Sequence, residues 1–231
     1  MPAYPPAMPL PRRPRAIVFD MDGTLLDTEA VHRSAMRAAA DGLGLDFPDA
    51  LFLELVGVHR DANIVRLSDH FVGDFPVEAF YDDADARFEE MWHAGVPLRP
   101  GARETLAWLA ARGLPMAIAT STSSPSAEQR LAHAGLLDIF AAVVTRSDVT
   151  RPKPDGEAFT LAAGRLGVDP RDCVAVEDSP NGLRAAAAAG MMALLIPDLV
   201  PPGPDAVVLA HAILPDLVAV RALIDAALPT G

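Results

Sequence analysis

The stretch Ala16-Ile17-Val18-Phe19-Asp20-Met21-Asp22-Gly23-Thr24-Leu25-Leu26-Asp27 is where the fold of this chain is decided. Four apolar residues read as a short buried strand. The strand runs directly into two carboxylates one residue apart. Strand period 2 aims Asp20 and Asp22 in roughly the same direction, and Gly23 lets the backbone turn away at once. Two like charges held together call for a cation or a shared proton. Taken alone, Asp-x-Asp-Gly is also an ordinary turn sequence, so its meaning depends on what the other strand ends supply.

Four further apolar runs read as buried strands: Met116 to Ala119, Ala141 to Val144, Cys173 to Val176 and Met192 to Ile196. Helix-period segments separate them. These are Glu104 to Arg112, Gln129 to Ala134 with a stop at Gly135, Ala158 to Leu166 with a stop at Gly167, and Leu183 to Ala189 with a stop at Gly190. The last of these is introduced by Ser179 as N-cap and Pro180 as first helical residue. Alternating strand and helix predicts an α/β fold with a parallel sheet. In such sheets ligands gather beyond the carboxyl ends of the strands. At those ends stand the hydroxyls Thr120, Ser121 and Thr122, the acidic pair Glu177 and Asp178, and Lys153 on the loop 146–156. Jointly they suit a phosphate dianion, a hard divalent metal and a carboxylate nucleophile.

Lys153 is the single lysine among nineteen basic residues, the other eighteen being arginine. A compact ammonium between an aspartate and a phosphate suits a confined site better than a planar guanidinium fork.

The interval between the first two strands is too long for one crossover helix. Helix-like segments fill it: His32 to Gly42, Ala50 to Val56, Ala62 to Phe71 and Ala79 to Trp92. The expected organisation is a Pro-rich tail at 1–14, a parallel α/β core from 15–30 and 96–231, and an inserted helical cap at 31–95, with linkers near Asp27 to Ala30 and Gly95 to Gly101. A terminal helix between Leu214 and Leu228 places Leu217, Val220, Ile224 and Leu228 at helical spacing for packing on the core.

Composition narrows the class of function. The chain has 231 residues, 51% of them hydrophobic and 22% charged, which is the balance of a globular protein. A net charge of −12 opposes nucleic-acid binding. The lone Cys173 closes no intrachain disulfide and is expected to fill core space in a reducing compartment. No apolar run is long enough to span a bilayer, and the first fifteen residues, with six prolines, do not read as a secretory signal. The expectation is a cytoplasmic protein, monomeric by default, with no membrane or nucleic-acid partner.

Asp20-Met21-Asp22-Gly23-Thr24-Leu25-Leu26-Asp27-Thr28-Glu29, together with Thr120, Lys153-Pro154 and Glu177-Asp178-Ser179, resembles the haloacid dehalogenase superfamily of phosphotransferases. The resemblance is to the helical-cap branch that includes β-phosphoglucomutase-like phosphatases. It implies a Rossmann-like core, Asp20 as the nucleophile, and Asp22 as the general acid and base. It also implies Mg²⁺ held by the side chains of Asp20 and Asp178 and the carbonyl of Asp22, with Glu177 as a direct or water-mediated ligand. Thr120, Ser121 and Lys153 would bind the phosphoryl group. Asp22 argues against a dehalogenase, which lacks that second aspartate, and a cap without lysine argues against a phosphonate-cleaving Schiff-base enzyme. Gly57-Val58-His59-Arg60 resembles the mutase segment whose arginine grips a distal phosphate, and His32 matches a histidine at the cap entrance. Arg60 could equally pair with Asp61 or Glu54. The implied activity is a Mg²⁺-dependent phosphatase acting on a small phosphorylated metabolite, a sugar or polyol phosphate, through an aspartyl-phosphate. The alternatives are a sugar-phosphate mutase and a non-enzymatic binding module of the same fold.

Overall fold

Six short strands form one parallel sheet: β1 (Ala16–Phe19), β2 (Met116–Ala119), β3 (Ala142–Val144), β4 (Cys173–Glu177), β5 (Met192–Leu195) and β6 (Ala212–Ile213). Their order in space is β3-β2-β1-β4-β5-β6. This is the Rossmann-like arrangement, in which the direction of winding reverses between β1 and β4. Described here, in a computed structural model, are residues 7–56, 58–71, 73–199 and 201–229. The two-residue β6 was not visible in the sequence pattern. It borrows its pairing from β5 through Leu194–Ala212 and Leu195–Ile213.

Both faces of the sheet are covered. In β1 the alternate pairs Ala16 and Val18, and Ile17 and Phe19, point to opposite faces, yet all four are fully buried. Ala16 and Val18 join Ala117, Ala175 and Phe159 in one continuous apolar cluster. That burial explains why the strands read as unbroken apolar runs rather than alternating ones.

The chain forms two compact units, Met1–Asp27 with Pro97–Gly231, and Thr28–Val96. The second unit is helical, with α1 (Thr28–Gly42), α2 (Asp49–Leu55), α3 (Arg60–His70) and α4 (Val77–Ala94). Its principal pairing is α1 against α4. Phe47, Phe71, Phe75 and Phe80 form a chain of ring contacts with centroids 4.7–6.0 Å apart, which gives this small unit a core of its own.

The first unit carries α5 (Ala102–Ala111), α6 (Ser126–His133), α7 (Glu157–Leu166), α8 (Pro180–Ala188), α9 (Pro204–Leu209) and α10 (Leu217–Ala226). α7 packs on β1, β2 and β3, α8 packs on β4 and β5, and α10 packs on α5. Leu217, Val220 and Ile224 of α10 are buried, while Leu228 lies past its end and is half-buried. Of the Pro-rich stretch, residues 1–6 lie outside the described residues. Residues 7–10 have no regular structure, but Leu10 is buried and the carbonyls of Met8 and Pro9 meet Nε2 of His211. No helix among the described residues is long and apolar enough to cross a membrane.

Candidate active site

The carboxyl ends of β1, β2 and β4 lie side by side because β1 is hydrogen-bonded to both of the others. The β1–β4 register pairs Phe19 with Val176, and the ladder continues through the Asp20 N–H donating to the Val176 carbonyl at 2.9 Å. Asp20 therefore emerges beside Glu177 and Asp178. One position past β2, the Thr120 N–H donates to Val144, so its side chain leaves the sheet at the same edge. Gly23 supplies the turn after the aspartates at φ 83°, in the left-handed region. A Cβ there would stand 2.5 Å from Asp178 Oδ2, so the glycine also makes room for the second acidic strand end.

Lys153 is the electrostatic centre of the group. Its Nζ donates to Asp20 Oδ1 and to Glu177 Oε1, both at 2.6 Å, and its side chain is 5% exposed. Burial alone would lower the lysine, but the two carboxylates outweigh it and hold the ammonium above its ordinary range. The Lys153 ammonium also lies 4.9 Å from the centre of the Phe159 ring. Glu177 is fully buried, and both of its carboxylate oxygens accept hydrogen bonds inside the protein. Its Oε2 takes the N–H of Asp178, the N–H of Ser179 and the Ser179 hydroxyl, at 3.0–3.1 Å. In this arrangement Glu177 is an anchor for Lys153 and for the start of α8.

One lysine does not neutralise three acids. Ligand oxygens of Asp20, Glu177 and Asp178 all lie within 4.8 Å of one another. Burial, opposed by Lys153 but reinforced by Glu177 and Asp22, pushes the Asp20 carboxyl up to about 8. Burial, with Glu177 and Asp20 adding to it, also raises Asp178. An acidic cluster with this unrelieved repulsion and hard oxygen donors fits a divalent cation.

A cavity of about 190 Å³ opens over the cluster, lined by Asp20, Asp22, Thr120, Ser121, Lys153 and Asp178, with Ser179, Asn181 and Gly182 from the start of α8. Backbone N–H groups at such a helix start favour an anion. Six of the residues singled out in the sequence thus share one cavity, and Glu177 stands behind it. The other two do not line it. Arg60 and His32 belong to the helical unit and line a different cavity within it. Arg60 pairs with Asp85 on α4 at 2.9 Å, instead of with its sequence neighbours Asp61 or Glu54, and His32 stacks on Phe88 with centroids 4.0 Å apart. Gly57 of that segment lies outside the described residues.

Three further side chains hold the candidate groups in place. Thr122 donates from its hydroxyl to Asp22 Oδ2 at 2.6 Å, and Arg130 donates to Asp22 Oδ1 at 3.0 Å. Thr24 donates to Asp178 Oδ1 at 2.8 Å. Thr122 continues the hydroxyl run that begins at Thr120, and that was its only signal in the sequence. Arg130 lies on α6 with nothing local to distinguish it from seventeen other arginines.

Residues 14–190 match the family described as haloacid dehalogenase-like hydrolase. Fructose-1-phosphate phosphatase YqaB of Escherichia coli is 37% identical over 181 residues, covering 77% of this chain and 94% of the relative. A probable pseudouridine-5'-phosphatase of Drosophila melanogaster is 34% identical over 187 residues, covering 78% and 80%. Among solved structures, a HAD family hydrolase of Deinococcus radiodurans with bound phosphate and sodium superposes with a TM-score of 0.80 at 30% identity, over 93% of this chain and 96% of that one.

Proposed function

The chain belongs to the haloacid dehalogenase-like hydrolase family, and from that premise we propose that it hydrolyses a small sugar or polyol monophosphate through an aspartyl-phosphate intermediate. The observation that carries this reading is Lys153 bridging Asp20 and Glu177 inside a cavity that Asp22, Thr120 and Asp178 also line. A hydrolase acting on phosphorylated metabolites is also what the similarity to named phosphatases supports.

Asp20 acts as nucleophile: a carboxylate oxygen bonds to phosphorus as the bond from phosphorus to the leaving oxygen breaks. Asp22 gives that leaving oxygen its proton. In the second half Asp22 takes a proton from water, and the resulting hydroxide displaces phosphate from Asp20. Splitting one displacement into two lowers the barrier of each. Lys153, Thr120 and Ser121 hold the phosphoryl oxygens, since catalysis of this transfer is mostly positioning and charge neutralisation. Thr122 and Arg130 fix the direction of the Asp22 carboxylate. Asp20, Asp178 and the carbonyl of Asp22 would hold Mg²⁺, which when bound would supply the positive charge that lets a carboxylate approach a dianion. Glu177 keeps Lys153 aimed.

The test is phosphate release from fructose 1-phosphate and a panel of sugar and polyol monophosphates in the presence of Mg²⁺. Asp20→Asn should reduce turnover by about a thousandfold or more, and EDTA should stop it. Turnover that survives either change defeats the reading.

A further inference from the structure

We propose that the amino-terminal end of the sheet carries a second anion site, built by the arginines of the Pro-rich stretch, for a soluble oligophosphate such as pyrophosphate or tripolyphosphate. It is independent of the phosphatase reading, because it lies at the opposite end of the strands from the acidic cluster.

Arg12, Arg13, Arg15, Arg112 and Asp172 line an open cleft of about 710 Å³. Arg15 and Asp172 directly precede β1 and β4, and Arg112 follows the last residue of α5, just ahead of β2. Ligands of parallel sheets ordinarily gather at the other, carboxyl ends. The four residues of β1, at about 3.3 Å each, put about 13 Å of strand between this cleft and Asp20, so its occupant is not the group that Asp20 would attack.

The arginines are held in place before any ligand arrives. Leu10 and Pro14 are buried on either side of Arg12 and Arg13 and tie this part of the stretch to the core. Pro11 and Pro14 fix their own φ and bias Leu10 and Arg13 toward extended backbone. The Arg15 N–H donates to the Asp172 carbonyl at 2.8 Å. Across the cleft, the Arg112 guanidinium lies over the Trp108 ring, 3.7 Å from its centre. Groups positioned in advance lose little freedom on binding.

Their charge is only partly met. Among the described residues no carboxylate stands within ion-pair distance of Arg12 or Arg13. Arg15 reaches Asp172 only at 3.9 Å, and Arg112 reaches Asp225 only at 3.6 Å. Asp169, the carboxylate that acts on Arg12 at longer range, is occupied by Arg171 at 2.7 and 3.1 Å. Four guanidiniums against Asp172 and Asp225 leave an excess of two positive charges in a chain whose net charge is −12. Like charges held together repel, and an anion between them relieves the repulsion. Guanidinium forks match phosphate oxygens in pairs, so several forks around one cleft suit successive phosphates. The net charge opposes a nucleic acid or an anionic bilayer. A small anion inside the cleft is governed instead by charges within about 10 Å, the screening length at 0.1 M salt.

The test is calorimetric titration of the full chain with orthophosphate, pyrophosphate and tripolyphosphate in EDTA, which keeps a metal from drawing the anion to the acidic cluster. Tripolyphosphate should bind at one site with a dissociation constant of about 10–100 µM at low salt, and orthophosphate about tenfold more weakly or worse. Replacing both Arg12→Ala and Arg13→Ala should weaken tripolyphosphate by about thirtyfold and leave the thermal midpoint of the free protein unchanged, since neither side chain has an ion-pair partner to lose. Arg37→Ala removes the same charge in the helical unit, where Arg37 pairs with Asp49, and should bind tripolyphosphate as wild type does. The proposal is overturned if no oligophosphate binds in EDTA, or if the double variant binds as wild type does. It is also overturned if Arg37→Ala weakens binding equally, which would make the attraction diffuse. Sedimentation with phosphatidylserine vesicles that depends on Arg12 and Arg13, without binding of free tripolyphosphate, would assign the cleft to a lipid surface and overturn it as well.

Discussion

Adding one methyl group at Gly182 tests the acidic cluster without touching a charged residue. Gly182 sits in the first turn of α8, and its ideal Cβ would fall 1.6 Å from Glu177 Oε1, 1.8 Å from its Cδ and 2.2 Å from Oε2, where ordinary contact begins at 3.4 Å. Glu177 would have to retreat by about 2 Å. It cannot do so cheaply, because Lys153 Nζ, two backbone N–H groups and the Ser179 hydroxyl all hold its carboxylate. Moving it breaks a buried ion pair, a loss of about 3–5 kcal/mol, and swings Lys153 away from Asp20. Gly182→Ala should therefore lower the denaturant midpoint markedly and reduce phosphate release by about a hundredfold. Gly164→Ala is the matched control. Gly164 is exposed inside α7 with nothing within 4 Å of its Cβ position, so the same change should stabilise by about 0.5–1 kcal/mol. Urea titration of both variants with a phosphate-release assay decides the matter. If Gly182→Ala matches wild type in stability and rate, the packing of Glu177 against α8 is not as described.

Lys153→Met leaves Asp20 and Glu177 buried without their shared cation, which should destabilise by about 3–5 kcal/mol in chemical denaturation and abolish phosphate release; a folded, active variant would contradict the role of the ammonium. Mg²⁺ at about a hundred times its dissociation constant should stabilise the chain by about 2.7 kcal/mol, and in thermal melts Asp178→Asn should lose most of that gain; equal gains in both proteins would move the cation elsewhere. Burial first, then Asp172 and Asp169, push the Cys173 thiol from 9.0 up to about 12. Because the fold favours the protonated thiol, this contribution to stability is present below pH 9 and is lost as pH climbs toward 12. At pH 8 iodoacetamide should label Cys173 only after denaturation, as seen by mass spectrometry; prompt labelling of the native chain would show that the thiol is accessible.

The α/β class was legible because strands buried on both faces must be apolar at successive positions, and Ala16 to Phe19, Met116 to Ala119 and Cys173 to Val176 are. Helix ends were legible where glycine enters the left-handed region, as at Gly135, Gly167 and Gly190. Five candidate residues of the active-site cavity were legible because they follow strand ends, and Lys153 because it is the single lysine of the chain. β6 was not, since two residues make no period and its partner lies outside its own sequence. The partner of Arg60 was equally hidden: Asp85 is twenty-five positions away, and only the packing of the helical unit brings it within 2.9 Å.

The sequence by itself determined which chemical groups are present and which strand ends carry them, since local pattern and residue chemistry act over a few positions. Tertiary structure alone decided that β1 lies between β2 and β4, which is what brings Asp20 against Lys153 and Asp178. It also decided the supports: Thr122 and Arg130 on Asp22, Thr24 on Asp178, and Glu177 behind Lys153. Hydrogen bonds and ion pairs act over about 3 Å, and residues as far as 154 positions apart in the chain, as Thr24 and Asp178 are, reach that distance only once the sheet has set its strand order.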